Sequence, residues 1–432
     1  LDKFVINGGR RLSGSVAVAP SKNAILPCIC AALTAEKGKT VLTDVPDLVD
    51  VHTAARVVAH LGADVDYDSK AGTLTIDASN LSGHEVPYDL MRRMRASFLV
   101  LGALMARTRK ARISLPGGCA FGPRPVDLHL KGFQSLGAKF SDDHGYIKCD
   151  GSRLKASMFV FDRPTHTGTE NLMIGATLLP GETVLVNAAC DPEIADVADM
   201  LTKMGARIEG AGSSTIRITG VKKLKGIEHR SIPDRLEAGT LMMAGAITKG
   251  TVELRDVQPK HLDSVIAKMQ EMGVRITTTP KRITVKGSSQ IWPCQIITFP
   301  YPGFPTDLQP AMLALMTVAD GPSMMTETVF PNRFSHAMEL ARMGADIRVT
   351  GNEARIAGVP QLRGAKVMAS DIRAGAGLVL GALAAKGTSE VLRVYHIDRG
   401  YQGLEQKLAR LGADIKREKD TVTASASATL AS

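Results

Sequence analysis

Two kinds of segment in this 432-residue chain carry side chains able to move protons or hold anions. The first is Pro116-Gly117-Gly118-Cys119-Ala120-Phe121-Gly122-Pro123-Arg124-Pro125. Its glycines and prolines exclude a helix and predict an exposed, shaped loop, a common place for catalytic groups. Cys119 precedes Arg124 by five residues, and a nearby cation favours the reactive thiolate. The second kind recurs. A charged or polar residue stands just before each of six apolar stretches, at Lys22-Asn23, Arg95, Gly168-Thr169, Arg235, Asp307 and Arg373. Helix N-termini offer unpaired N–H groups and the positive end of a dipole, so with Lys and Arg added they suit phosphate and carboxylate groups. A cleft between two domains would gather several of them into one anion site.

Other motifs fail on their spacing. Gly38-Lys39-Thr40 ends like a phosphate-binding loop, but Leu33 stands where its first glycine is needed. Gly-x-Ser-x-Gly and HExxH are absent, and the ten histidines form no ligand set with cysteine, so no metal is expected. The six cysteines (28, 30, 119, 149, 190 and 294) show no CxxC spacing, which predicts reduced thiols and a cytoplasmic setting. Lys and Arg exceed Asp and Glu by 53 to 43, a net charge of +10. No run of five like charges and no nucleic-acid motif accompanies that excess, so small anionic substrates are expected rather than nucleic acid. Apolar runs are too short to span a bilayer, and no membrane insertion is expected.

The elements that position these residues follow from an internal repeat. Leu/Met-Gly-Ala/Val recurs at Gly62, Gly137, Gly205, Gly273, Gly344 and Gly412, spaced by about 70 residues, the mark of a repeat architecture. Each glycine ends a segment of helical period and precedes a short alternating strand, which predicts a left-handed helix cap. Each unit also holds a stretch apolar around most of its circumference (24–33, 96–105, 172–179, 236–247, 308–318, 374–384), which predicts a helix buried within a layer. A unit reads strand, buried helix, strand, amphipathic helix, strand. Six units in two groups of three make two similar α/β domains. The opening strand pattern, Phe4-Val5-Ile6 then Val16-Ala17-Val18, matches the starts of later units and could complete the C-terminal domain. The expected domains are therefore 22–230, and 1–21 with 231–432. The Ala/Ser/Thr-rich tail beyond Lys416 is expected to fray, leaving about the last 15 residues disordered.

Several segments together resemble a known family. They include Ser21-Lys22-Asn23-Ala24, Met94-Arg95-Ala96-Ser97, Leu115-Pro116-Gly117-Gly118-Cys119 and Arg124-Pro125-Val126-Asp127-Leu128-His129. Ile232-Pro233-Asp234-Arg235, Phe304-Pro305-Thr306-Asp307, Asn332-Arg333-Phe334 and His396-Ile397-Asp398-Arg399-Gly400-Tyr401 follow in order. From Phe4 to about Lys416 the chain resembles the UDP-N-acetylglucosamine 1-carboxyvinyltransferase family of enolpyruvyl transferases. The resemblance implies two domains, each of three βαβαββ units around buried helices, an inside-out α/β barrel. It also implies transfer of the enolpyruvyl group of phosphoenolpyruvate to the 3-hydroxyl of UDP-N-acetylglucosamine, the first committed step of bacterial peptidoglycan synthesis, with no cofactor.

The same resemblance implies roles. Lys22 and Asn23 contact phosphoenolpyruvate, and Arg124 and Arg399 hold its phosphate and carboxylate. Arg95, Arg124, Pro125, Val126, Asp127, Leu128 and Val329 contact the nucleotide sugar, with Arg333 also binding substrate. Asp307 sits by the acceptor hydroxyl, Cys119 donates the proton and Arg373 completes the cationic set. Two places depart from the family pattern: the stretch 163–168, and Gly375, where serine is expected. A paralogue acting on another nucleotide sugar is the alternative, and the sister 5-enolpyruvylshikimate-3-phosphate synthases lack the cysteine loop.

Overall fold

Each of the six apolar stretches folds as a helix shielded on nearly every side. All thirteen residues of Arg235–Ile247 and all eight of Gln309–Met316 are buried, and Lys22–Ala32, Val100–Arg107, His166–Ala176 and Ile372–Ala384 are nearly as enclosed. A helix apolar all round needs neighbours all round. Lys22–Ala32, Val100–Arg107 and His166–Ala176 pack on one another, and so do Arg235–Ile247, Gln309–Met316 and Ile372–Ala384. Small residues allow the approach. A Cβ at Gly102 would come within 2.3 Å of the Asn171 carbonyl oxygen, and one at Gly377 within 2.6 Å of the Pro310 carbonyl oxygen.

The computed structural model describes residues 1–91, 94–114 and 126–420. The chain divides into two units, Leu1–Ala19 with Pro233–Ser432, and Pro20–Ile232, each with its own aliphatic core. The changeovers fall two residues from the expected ones at 21/22 and 230/231.

Around each helix trio stand three four-stranded sheets built to one plan. The strand ahead of the buried helix pairs in parallel with the strand after it, as Met158–Val160 does with Glu182–Val186. A second, half-exposed helix follows, and a hairpin then completes the sheet, as Arg207–Glu209 and Thr215–Thr219 do beside Glu182–Val186. The unit is thus β-α-β-α-β-β, one strand more than periodicity alone predicts. The six signature glycines end the second helices with φ between 85 and 112°, backbone that a Cβ disfavours.

Three strands are exchanged along the chain to close the two rings. Asp2–Asn7 lies between Thr388–Leu392 and Asp414–Lys419, supplying the last strand of the sixth unit. Ser13–Ala17 pairs with Thr251–Arg255 as the leading strand of the fourth, and Glu228–Arg230 pairs with Thr40–Thr43 as that of the first. This closure corrects the expected tail. The final strand continues through Lys416 to Lys419, opposite Val5 and Asp2, because the N-terminal strand offers it a full ladder. The remaining tail residues, 421–432, lie outside the described residues.

Candidate functional site

In the unit Leu1–Ala19 with Pro233–Ser432, chemistry-bearing residues collect at the starts of the buried helices. Asp307 lies in the short turn Thr306–Leu308 that leads into Gln309–Met316, with its side chain 28% exposed. Arg333 Nη1 donates to its Oδ1 at 2.6 Å, and Arg373 Nε donates to its Oδ2 at 3.2 Å. Both arginines are almost fully buried, so their attraction to this carboxylate is little screened by water.

Arg373 is aimed by the cap of its own helix. Asp371 Oδ1 accepts from the backbone N–H groups of Arg373 and Ala374 at 2.9 and 3.0 Å. The guanidinium sits 5.1 Å from the Tyr401 ring centre, and the Tyr401 hydroxyl is 2.9 Å from Thr240 Oγ1. Burial opposes the charge on Arg373, but Tyr401, Asp307 and Asp234 outweigh it and raise its pKa. Gly375, two residues on, leaves room for Ile397, whose Cγ1 would stand 2.6 Å from an added Cβ.

Arg235 begins its helix behind the Asp234 cap and lies 5.3 Å from the Tyr301 ring centre. Arg399 follows the short helix Tyr395–Asp398 and is half-buried. Burial, and next the Arg399 charge, hold His396 below the usual histidine range. Val329 is half-buried, and its N–H donates to Glu327 at 2.8 Å.

In Pro20–Ile232, Lys22 is the first residue of its helix, behind Ser21, whose Oγ accepts from the Ala24 N–H at 3.3 Å. Its ammonium is buried and lies 3.2 Å from Asp50 Oδ2. Asn23 beside it is half-buried. Asp127 is exposed at the start of Asp127–Ser135, flanked by buried Val126 and Leu128. That helix start is tied down by His129, whose Nε2 is 3.2 Å from Thr167 Oγ1 and whose Nδ1 is 2.9 Å from Asn171 Nδ2. Asn171 also bonds Gly102 N–H and the Phe98 carbonyl, linking three segments in one buried network. Arg95 opens the turn Arg95–Leu99. Cys119, Arg124 and Pro125 lie outside the described residues, as does the side chain of Arg95.

Sequence reasoning missed Asp50, Glu327 and Asn171, and it read Arg333 and Arg373 only as substrate cations. The pairs Lys22–Asp50 and Arg373–Asp307 span 28 and 66 residues, too far apart for any spacing signal.

The fold also assembles a ligand trio that spacing concealed. The donor atoms of buried Cys28, Asp196 and His229 lie within 4.8 Å of one another. Hydrogen bonds already occupy them: Asp196 Oδ1 is 3.2 Å from His229 Nε2, and Asp196 Oδ2 accepts from the Cys28 thiol at 4.0 Å. Burial first, then Asp196 and Glu170, push the Cys28 pKa well up, so the thiol keeps the proton a metal would displace. A surface cavity of about 560 Å3, lined by Glu271, Cys294, Arg348 and Arg355 among others, contains none of the candidate catalytic or substrate-binding residues.

Glu170 lends itself to a stability measurement. It is fully buried, 3.3 Å from His166, and its pKa is pushed up from 4.5 to about 8, chiefly by burial. Between those pH values the native state keeps a proton that the unfolded chain releases, so the group's contribution to stability falls as pH rises. Glu170→Gln should therefore gain stability over the unsubstituted protein from pH 5 to pH 9, by on the order of a few kcal/mol. Urea unfolding at the two pH values measures it. A difference that stays flat would show that the carboxyl is ionised in the fold.

Comparison with known proteins places this architecture. The family description EPSP synthase (3-phosphoshikimate 1-carboxyvinyltransferase) matches residues 6–408. The UDP-N-acetylglucosamine 1-carboxyvinyltransferase of Desulfosudis oleivorans is 48% identical, covering 96% of this chain and 99% of its own. The Geobacter metallireducens protein of the same name is 49% identical over 97% and 100%. Among solved structures, the enolpyruvyl transferase NikO from Streptomyces tendae is similar at a TM-score of 0.88 with 26% identity, over 97% of this chain and 99% of its own. EPSP synthase from Acinetobacter baumannii shares the fold at a TM-score of 0.75 and 18% identity, over 97% of this chain and 100% of its own. With a family match over most of its length and relatives about half identical from end to end, the chain belongs to the enolpyruvyl transferases of the EPSP synthase family, alongside the UDP-N-acetylglucosamine 1-carboxyvinyltransferases.

Proposed function

We propose that this chain transfers the enolpyruvyl group of phosphoenolpyruvate to the 3-hydroxyl of UDP-N-acetylglucosamine, releasing phosphate, as the first committed step of peptidoglycan synthesis in the cytoplasm. The substrates are those of the relatives it matches at 48–49% identity. The observation that carries the chemistry is Asp307, a partly exposed carboxylate fixed by two buried arginines at the entrance to a buried helix. No helix among the described residues is long and apolar enough to cross a membrane.

Cys119 is the proton donor. Its thiol proton goes to C3 of phosphoenolpyruvate, leaving C2 electrophilic. The 3-oxygen of the sugar bonds to C2 while Asp307 takes the hydroxyl proton. In the tetrahedral adduct the bond from C2 to the phosphate oxygen breaks, phosphate leaves with the proton that Asp307 had accepted, and C3 returns a proton to the thiolate, restoring the double bond and both groups. Arg124 and Arg399 hold the phosphate and carboxylate, Lys22, Asn23 and Arg373 also bind substrate, and the cations among them stabilise the charge that develops. Arg95, residues 124–128 and Val329 hold the nucleotide sugar, and Arg333 also binds substrate. Phosphate release tests the reading. Turnover is expected with phosphoenolpyruvate and UDP-N-acetylglucosamine and not with shikimate 3-phosphate as acceptor; the opposite preference would overturn it.

A further inference from the structure

We propose that Glu327 is a positioning residue that fixes the direction of the Asp307 carboxylate through Thr306 and Arg333, and sets the Val329 turn at the same time. The proposal rests on the reading of Asp307 as the group that meets the acceptor hydroxyl.

Glu327 follows the strand Pro322–Thr326 and is fully buried. Among the described residues, only neutral donors are seen to reach its carboxylate. Oε1 accepts from Thr298 Oγ1 at 2.8 Å and from the N–H groups of Val329 and Phe330 at 2.8 and 2.9 Å. Oε2 accepts from Thr306 Oγ1 at 2.9 Å. A carboxylate buried among neutral donors costs more than an amide of the same shape would, so its advantage must lie in what an amide cannot do.

That advantage is direction. An ionised carboxylate only accepts, so the Thr306 proton points at Glu327 and the Thr306 lone pairs face Arg333. Arg333 Nη1 donates to Thr306 Oγ1 at 3.1 Å and to Asp307 Oδ1 at 2.6 Å. Arg333 can only donate, so what the Thr306 lone pair fixes is where its Nη1 stands and from which side it meets Asp307 Oδ1. Glutamine would present an NH2 group either to Thr306, reversing its hydroxyl, or to the N–H groups of the turn.

Steady-state kinetics of Glu327→Gln and Thr306→Val, alone and combined with Asp307→Asn, test this. Each single change should lower kcat by about 10- to 100-fold with the KM for phosphoenolpyruvate within about three-fold, and Thr306→Ser should restore most of the loss. Added to Asp307→Asn, Glu327→Gln should cost less than about two-fold further, because the group it positions is gone. A full multiplicative loss in that background, or a kcat near the unsubstituted value, overturns the proposal. If Glu327→Gln fails to fold, Thr306→Val carries the same comparison. Nitrogen-15 NMR gives a readout independent of turnover. A slowly exchanging Arg333 guanidinium resonance should be lost in both variants, and its persistence overturns the coupling even if the unsubstituted enzyme proves inactive on this substrate pair, a result that would separately sink the functional reading.

Discussion

Asp307→Asn is expected to lower kcat by about 10² or more while leaving both substrates bound nearly as before. The carboxylate offers lone pairs to Arg333 on one oxygen and to Arg373 on the other, and the remaining lone pairs can meet a hydroxyl proton. Asparagine keeps one acceptor oxygen. Its amide nitrogen must then face a guanidinium donor, so one of the two bonds is lost and no base remains. Because both arginines are buried, urea unfolding of the variant separates lost stability from lost chemistry. Near-normal turnover in a folded variant would reduce Asp307 to an ion-pair anchor at a helix start.

The second large effect concerns Cys119. An epoxide that mimics phosphoenolpyruvate, such as fosfomycin, is expected to alkylate Cys119 almost alone among the six cysteines. Cys28, Cys30, Cys149 and Cys294 are buried. Burial raises the pKa of each, to about 12 for Cys149 and Cys294, and raises that of half-buried Cys190 as well. A thiol of pKa about 12 is ionised in roughly one molecule in 10⁴ at pH 8, and the thiolate is the nucleophile. Cys119 has Arg124 close in sequence, and the segment read as holding the nucleotide sugar, 124–128, begins five residues after it. Filling that site should speed the labelling of Cys119. Peptide mapping after brief exposure, with and without UDP-N-acetylglucosamine, decides the matter. Label spread over several cysteines, or Cys119 labelling indifferent to the sugar, would remove its catalytic role.

How much of this could be read in advance depended on range. The repeat glycines and the all-apolar stretches are local signals, and each corresponds to a left-handed cap or a buried helix. Lys22, Arg235, Asp307 and Arg373 were visible as helix starts for the same reason. Their pairings were not. Asp50 faces Lys22 and Arg333 faces Asp307 within one unit of the repeat, and Arg373 reaches Asp307 from the next unit, at separations where no periodicity links the pair. Glu327 looked like an ordinary polar residue at the end of a strand; only the fold reveals four donors around it. The closing strand was misjudged by its composition. Arg417-Glu418-Lys419 were grouped with the Ala/Ser/Thr-rich tail that follows them, yet pairing with Asp2–Asn7 holds them in a sheet.

Product analysis tests the central claim most directly. The enzyme, phosphoenolpyruvate and UDP-N-acetylglucosamine should yield phosphate and, in equal amount, a nucleotide sugar whose proton NMR shows two vinyl protons and an ether on the 3-oxygen. Phosphate formed without that ether, or a vinyl ether formed only on shikimate 3-phosphate, would contradict the account.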